Sequence, residues 1–179
     1  ILAGIGIFLL YNRRTRWPSI IIGIIAFTSI LNSPNLAGIK NEISLQDRSG
    51  QIRVSMWKEA GQLIKDSPLL GAGLSSYDER IKPYHTTVNG EGIEIFHHPH
   101  NIFLTMWVNL GLVGLIGFLL ILIGFYIKGL RYSPMLIAVM TVIVVTGLVD
   151  SPYIKNDLAV LFWGLPLLLL TSTYATMEK

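Results

Sequence analysis

The run His97-His98-Pro99-His100-Asn101 opens directly into an apolar stretch from Ile102 to Ile127. That stretch exceeds the ~20 residues needed to cross a hydrocarbon core. It therefore predicts a membrane-spanning helix, with imidazoles at its mouth where water, headgroups and buried helices meet. Chemistry on a lipid-borne substrate requires such a place.

The rest of the chain agrees with a membrane reading. Hydrophobic residues make up 51% and charged residues 14%, both to the apolar side of an ordinary soluble domain. The charges are clustered, and long stretches carry none, as spans require. There is no cysteine, which removes disulfides and thiol chemistry. A formal charge of +3, with no aromatic-interleaved basic patch, excludes nucleic acid as a partner. The sequence starts at Ile1 inside an apolar run, without an initiator Met or a signal-peptide pattern. This predicts the C-terminal part of a longer membrane protein.

Five apolar stretches follow one another: Ile1–Tyr11, Trp17–Leu31, Ile102–Ile127, Pro134–Val149 and Leu158–Tyr174. The fold class expected is all-α and polytopic, with about five transmembrane helices, the first truncated. Pro134 and Pro152 each follow a serine, a pairing suited to a helix start. Pro166 lies inside the last stretch and should kink it. The short connection Asn12–Arg16 carries Arg13, Arg14 and Arg16, and Lys128–Ser133 carries Lys128 and Arg131, neither with an acid. The positive-inside rule puts both in the cytoplasm. Alternation then places the polar segment outside. The expected organisation is transmembrane helices in 1–31, an extracytoplasmic loop in 32–101 and three transmembrane helices in 102–179. Within the loop, Ile52, Met56, Ala60, Leu63 and Ile64 recur at helical spacing, predicting an amphipathic helix over Gln51–Lys65. Asp66-Ser67-Pro68 ends it, Gly71-Ala72-Gly73 makes a tight turn, and Thr86–Gly92 reads as a turn-rich connection.

The loop holds all four histidines. Pro99 biases His98 toward an extended conformation, so Asn101 or His100 should begin the third span. Exposed amides there attract anions, and a neutral imidazole beside them can accept a proton. The alternative is an interfacial histidine that merely caps the span. At about 100° per residue, Gly111 falls three turns beyond His100 on nearly the same face, and Gly114 lies close to that stripe. Both are candidates for close helix packing. Arg53, on the amphipathic helix with Trp57 four residues on, can make a two-point contact with a phosphate or diphosphate. Arg48, Arg80 and Lys82 are weaker cationic candidates. With Asn101, Trp57 and His98 they complete the candidate substrate-binding set. No metal site is expected: a helical His-x-x-x-His spacing is absent, and Glu91 and Glu94 add no strong pattern. Ser75-Ser76 with His85 is too generic for a nucleophile and base.

The segment His100-Asn101, a nine-residue gap and Gly111-Leu112-Val113-Gly114 resembles the His-Asn…Gly-x-x-Gly signature of the O-antigen ligase superfamily. That group includes O-antigen polymerases and bacterial protein O-oligosaccharyltransferases. Arg53-Val54-Ser55-Met56-Trp57 resembles its Arg-x-x-x-Trp element. The stretch from Asp66 to Gly73 resembles its Pro-Leu-x-Gly-x-Gly element. The resemblance covers about Arg53–Phe118. It implies a GT-C-like glycosyltransferase of the bacterial inner membrane, using a polyprenyl-diphosphate-linked glycan, usually on undecaprenyl diphosphate, without cofactor or metal. It also implies that His100 is the catalytic histidine, that Arg53 is the loop-helix arginine, and that a further arginine lies upstream. The acceptor would be a glycolipid, a glycan or a protein. A transporter or a non-catalytic membrane subunit is the reading outside this class. The near absence of charge within the stretches counts against transport.

Overall fold

The structure, a computed structural model, describes residues 14–32, 38, 41–42, 44–85, 87–88, 91–92, 94–152 and 156–177. The Ile1–Tyr11 stretch lies outside them, as do Glu178 and Lys179. The described residues form helices α1 (Arg16–Asn32), α2 (Arg48–Asp66), the single turn α3 (Tyr77–Arg80), α4 (Ile102–Tyr132), α5 (Pro134–Thr146) and α6 (Asn156–Met177). A 3-10 turn at Lys82–Tyr84 follows α3. In place of the expected turn-rich connection, Thr87–Val88 and Glu91–Gly92 pair as a minimal antiparallel hairpin.

Local chemistry accounts for the ends. Asp47 caps α2 by accepting from the amides of Ser49 and Gly50, both at 3.2 Å, which satisfies two of the orphan donors of a first turn. Asn101 does the same for α4 through Phe103 and Leu104, both at 3.0 Å. Ser133 ends α4 and Pro134 opens α5, as a proline at the first helical position allows. Pro166 lies inside α6.

Two apolar cores result. Ile102, Met106, Phe118, Leu122 and Phe125 of α4 pack with Ile137, Met140 and Ile143 of α5 and Phe162, Leu165 and Leu169 of α6. Above them, Ala60, Leu63 and Ile64 of α2 pack with Tyr77, Ile81 and Val108. By length and composition α4 is apolar enough to cross a membrane, with only 22% of its most apolar window buried. A core helix of a soluble protein would be mostly covered. Its outer face leaves Val113, Leu120, Ile127 and Leu130 exposed. Apolar segments of α1, α5 and α6 are shorter than that criterion.

One rod does not run through α4. Gly111 has φ 68° and ψ −170°, open to glycine and strained for other residues. The second half, residues 112–132, rises ~31 Å, close to the ~30 Å hydrocarbon thickness on its own. The break leaves peptide groups without helical partners, and the loop after α2 supplies them. Ala72 and Gly73 donate to the carbonyls of Val108 (2.6 Å) and Asn109 (3.2 Å). Pro68 O accepts from Leu112 N (2.9 Å) and from the Trp107 indole (3.0 Å). Such satisfaction is what permits irregular backbone in an apolar helix.

This corrects the reading of Gly111 and Gly114 as a helix-packing stripe. A side chain at Gly111 would run into the backbone of Leu69 and Leu70, and one at Gly71 (φ +70°) would meet Gly111 N at 2.5 Å and Val108 O at 2.6 Å. The two glycines let loop and broken helix touch backbone to backbone. Gly114 sits against the Leu110 side chain across the break. The rotation counted from His100 fails because the helix is interrupted before Gly114.

Candidate active site

The α5–α6 turn gathers the candidates at the α4 N-terminus. Gly147 O accepts from Ile102 N at 2.6 Å. Leu148 O accepts from the Asn101 side-chain amide at 3.0 Å. Val149 O accepts from Arg53 Nε at 3.1 Å. Asp150 Oδ1 lies 3.5 Å from His100 Nδ1. Ser151 Oγ and Thr105 Oγ1, both fully buried, lie 2.6 Å apart. Five successive residues thus contact the neighbourhood of His100, three of them through backbone carbonyls. Arg53 and His100, distant in sequence, end on the adjacent residues Val149 and Asp150.

The backbone aims the imidazole. His100 has φ +47°, an uncommon conformation for a non-glycine residue but one in which histidine is enriched. Surrounding contacts hold it: the Trp57 indole donates to Pro99 O at 2.9 Å, Pro99 is buried, and Asn101 is fixed as the cap. The His98 ring lies 4.5 Å from the His100 ring, and Phe96 meets that ring edge-on at 5.1 Å. His98 Nδ1 accepts the His100 amide at 3.2 Å. His98, His100 and Asp150 are all half-buried, and each offers a ligand atom within 4.8 Å of the others.

Arg53 is held twice, at Val149 O and through Nη1 on Ser49 Oγ at 2.8 Å. Its fork keeps a second terminal amino group that makes neither of these bonds. Trp57 and Asn101 direct their side-chain N–H groups to backbone carbonyls of the scaffold, Pro99 O and Leu148 O. Arg48 begins α2, five residues before Arg53 and so ~140° round the helix. Lys82 pairs with Glu79 at 2.6 Å. Arg80 lines a separate cleft with Asp66, Glu79 and Tyr84, where the hydrogen bond to Asp66 holds the Tyr84 phenol above its ordinary range. Arg80 and Lys82 thus belong to a different part of the loop. His85 is taken by the buried Glu59 at 3.3 Å. Burial, with Glu59 alongside, pushes the nearby Tyr77 phenol up.

Sequence reasoning missed Asp150. Its signal was present: it is the first acidic residue after Glu94, set between two apolar stretches.

A family model described as O-antigen ligase matches residues 1–119. The chain belongs to the O-antigen ligase family. Its members are bacterial inner-membrane, glycosyltransferase-like proteins. An uncharacterized protein of Haemophilus influenzae is 30% identical over 150 residues, covering 73% of this chain and 38% of that relative. The chain therefore spans well under half the length of the curated relative it matches. No solved structure matches it. Within this O-antigen ligase family chain, the matched region contains Arg53, His100 and Gly111 but stops short of the turn that carries Asp150.

Proposed function

We propose that the chain carries part of a membrane glycosyltransferase, ligase-like, that moves a glycan from a polyprenyl-diphosphate carrier to an acceptor hydroxyl at the outer face of the bacterial inner membrane. The observation that carries this reading is the shared anchorage of Arg53 and His100 on Val149 and Asp150. In this reading α1, α4, α5 and α6 cross the bilayer in a GT-C-like arrangement, and residues 32–101 form the extracytoplasmic loop.

The chemistry is a displacement. The acceptor oxygen bonds to the anomeric carbon as the bond from that carbon to the carrier phosphate breaks. The hydroxyl proton passes to His100, which Asp150 orients and stabilises as it gains charge. The diphosphate leaves with the bonding electrons, and the Arg53 fork meets its developing charge. A cavity of ≈ 450 Å³ runs along α4 beside α6, lined by Met106, Leu110, Gly114, Gly117, Phe118 and Trp163 among others. It begins one turn past the cap and offers apolar surface for the isoprenyl tail. A side chain at Gly117 would meet nothing within 4 Å. Gly117→Leu is therefore expected to raise the KM for the lipid-linked donor about 3–10-fold with kcat little changed. An unaltered KM would remove the tail from this groove.

The reading is tested with full-length protein, a polyprenyl-diphosphate-linked glycan and candidate acceptors, following carrier release and product. Transfer to a lipid anchor marks a ligase, ladder lengthening a polymerase, and modified serine or threonine a protein O-oligosaccharyltransferase. Carrier-linked glycan left intact with every acceptor class would reject glycosyl transfer. Arg53→Lys is expected to lower transfer about 10–100-fold, since an ammonium cannot hold Val149 O and also present a planar pair of donors to a diphosphate. Full activity with lysine would mean that charge alone suffices.

A further inference from the structure

We propose that His98, His100 and Asp150 form a reversible binding site for Zn²⁺ or a similar late first-row divalent ion, and that its occupancy shuts off transfer. The second half rests on the glycosyltransferase reading; the first does not.

Two imidazoles and a carboxylate suit borderline-soft metals and disfavour Mg²⁺ and Ca²⁺, which select all-oxygen sets. The separations fit a shared ion. Two ligands each ~2.0–2.2 Å from a tetrahedral centre lie roughly 3.3–3.6 Å apart. His100 Nδ1 and Asp150 Oδ1 are 3.5 Å apart, a good ligand spacing but a long hydrogen bond. With all three ligand atoms within 4.8 Å of one another, closure of His98 onto the His100–Asp150 pair completes a three-ligand set.

The segments bearing the ligands are already clamped. Trp57 holds Pro99 between the two histidines, and the backbone bond from Ile102 to Gly147 ties their turn to the one carrying Asp150. Such support sets ligand geometry before the ion arrives. Three protein ligands leave a fourth position for water. An ion on His100 Nδ1 leaves the ring's proton on Nε2, the nitrogen that would receive the acceptor's proton, so a metal-loaded site cannot deprotonate the hydroxyl. Removing the ion restores the base.

The test uses full-length, tag-free protein in detergent, stripped with chelator and titrated with Co²⁺, whose visible absorption reports a protein-bound, low-coordinate ion. One Co²⁺ per chain, displaced by Zn²⁺, is expected. His98→Gln and Asp150→Asn are each expected to weaken binding by at least about tenfold. His97→Gln changes an exposed imidazole paired with Asp78 and should bind as the unaltered chain does. Absence of a Co²⁺ spectrum, or equal losses in the His97 and His98 variants, would overturn the site. In parallel, micromolar Zn²⁺ should inhibit transfer and EDTA should restore it. Co²⁺ binding without inhibition by Zn²⁺ would overturn the regulatory half. Co²⁺ binding in a protein that transfers no glycan at all would leave the metal site standing and sink the enzymatic reading alone.

Discussion

Alanine at position 100 is expected to lower glycan transfer by about 10²–10⁴-fold, the usual range for losing a positioned acid–base group. This corresponds to about 2.7–5.4 kcal/mol of transition-state stabilisation. The loss should fall on kcat, with binding of the lipid-linked donor largely kept, because His100 meets the acceptor's proton rather than the carrier. Asp150→Asn preserves shape and removes the charge that faces Nδ1. It should give a smaller drop, about 10–10²-fold, again in kcat. Rates within twofold of the unaltered protein for His100→Ala would show that the imidazole takes no part in proton transfer. A loss confined to KM would move it from proton transfer to substrate binding.

The second large effect concerns folding. Gly111→Ala is expected to destabilise the protein by about 2–5 kcal/mol, combining a left-handed backbone that alanine disfavours with overpacking against a rigid neighbour. The clash is with the backbone of Leu69 and Leu70, so no flexible side chain can move aside. Gly71→Ala presses on the same contact from the loop and should behave alike. Gly117→Ala has open space around it and should stay within about 0.5 kcal/mol. Thermal unfolding in detergent, read by tryptophan fluorescence, compares the three. Equal midpoints would mean that α4 tolerates a continuous helical path through position 111.

Much of this architecture is legible in residue order. Hydropathy marks the apolar helices, the i, i+4 spacing of Ile52, Met56 and Ala60 marks α2, and the Asn101 cap follows from polar chemistry before an apolar run. The break at Gly111 is not legible, because helical periodicity assumes the continuity that the break removes. Its partner, the Pro68–Gly73 loop, lies some forty residues upstream, and the closeness of two glycine backbones leaves no periodic trace. Asp150 stands out as an isolated acid, but its partner is not legible for a related reason: nothing in local sequence says that the α5–α6 turn folds over the α4 cap. Charge alone was too permissive in the other direction. Arg80 and Lys82 satisfy any search for cations in the loop, yet their partners are Glu79 and the cleft around Asp66. Arg53 reaches the turn.

That turn also decides what a minimal unit can be. A polypeptide ending at residue 133 would retain every signature residue recognised in the sequence, and the whole of α4, and would still lack the carboxylate and the three carbonyls that seat them. Supplying residues 134–177 as a separate peptide would then test whether reactivity is restored by docking alone, making the last two apolar helices a detachable keystone instead of passive anchorage.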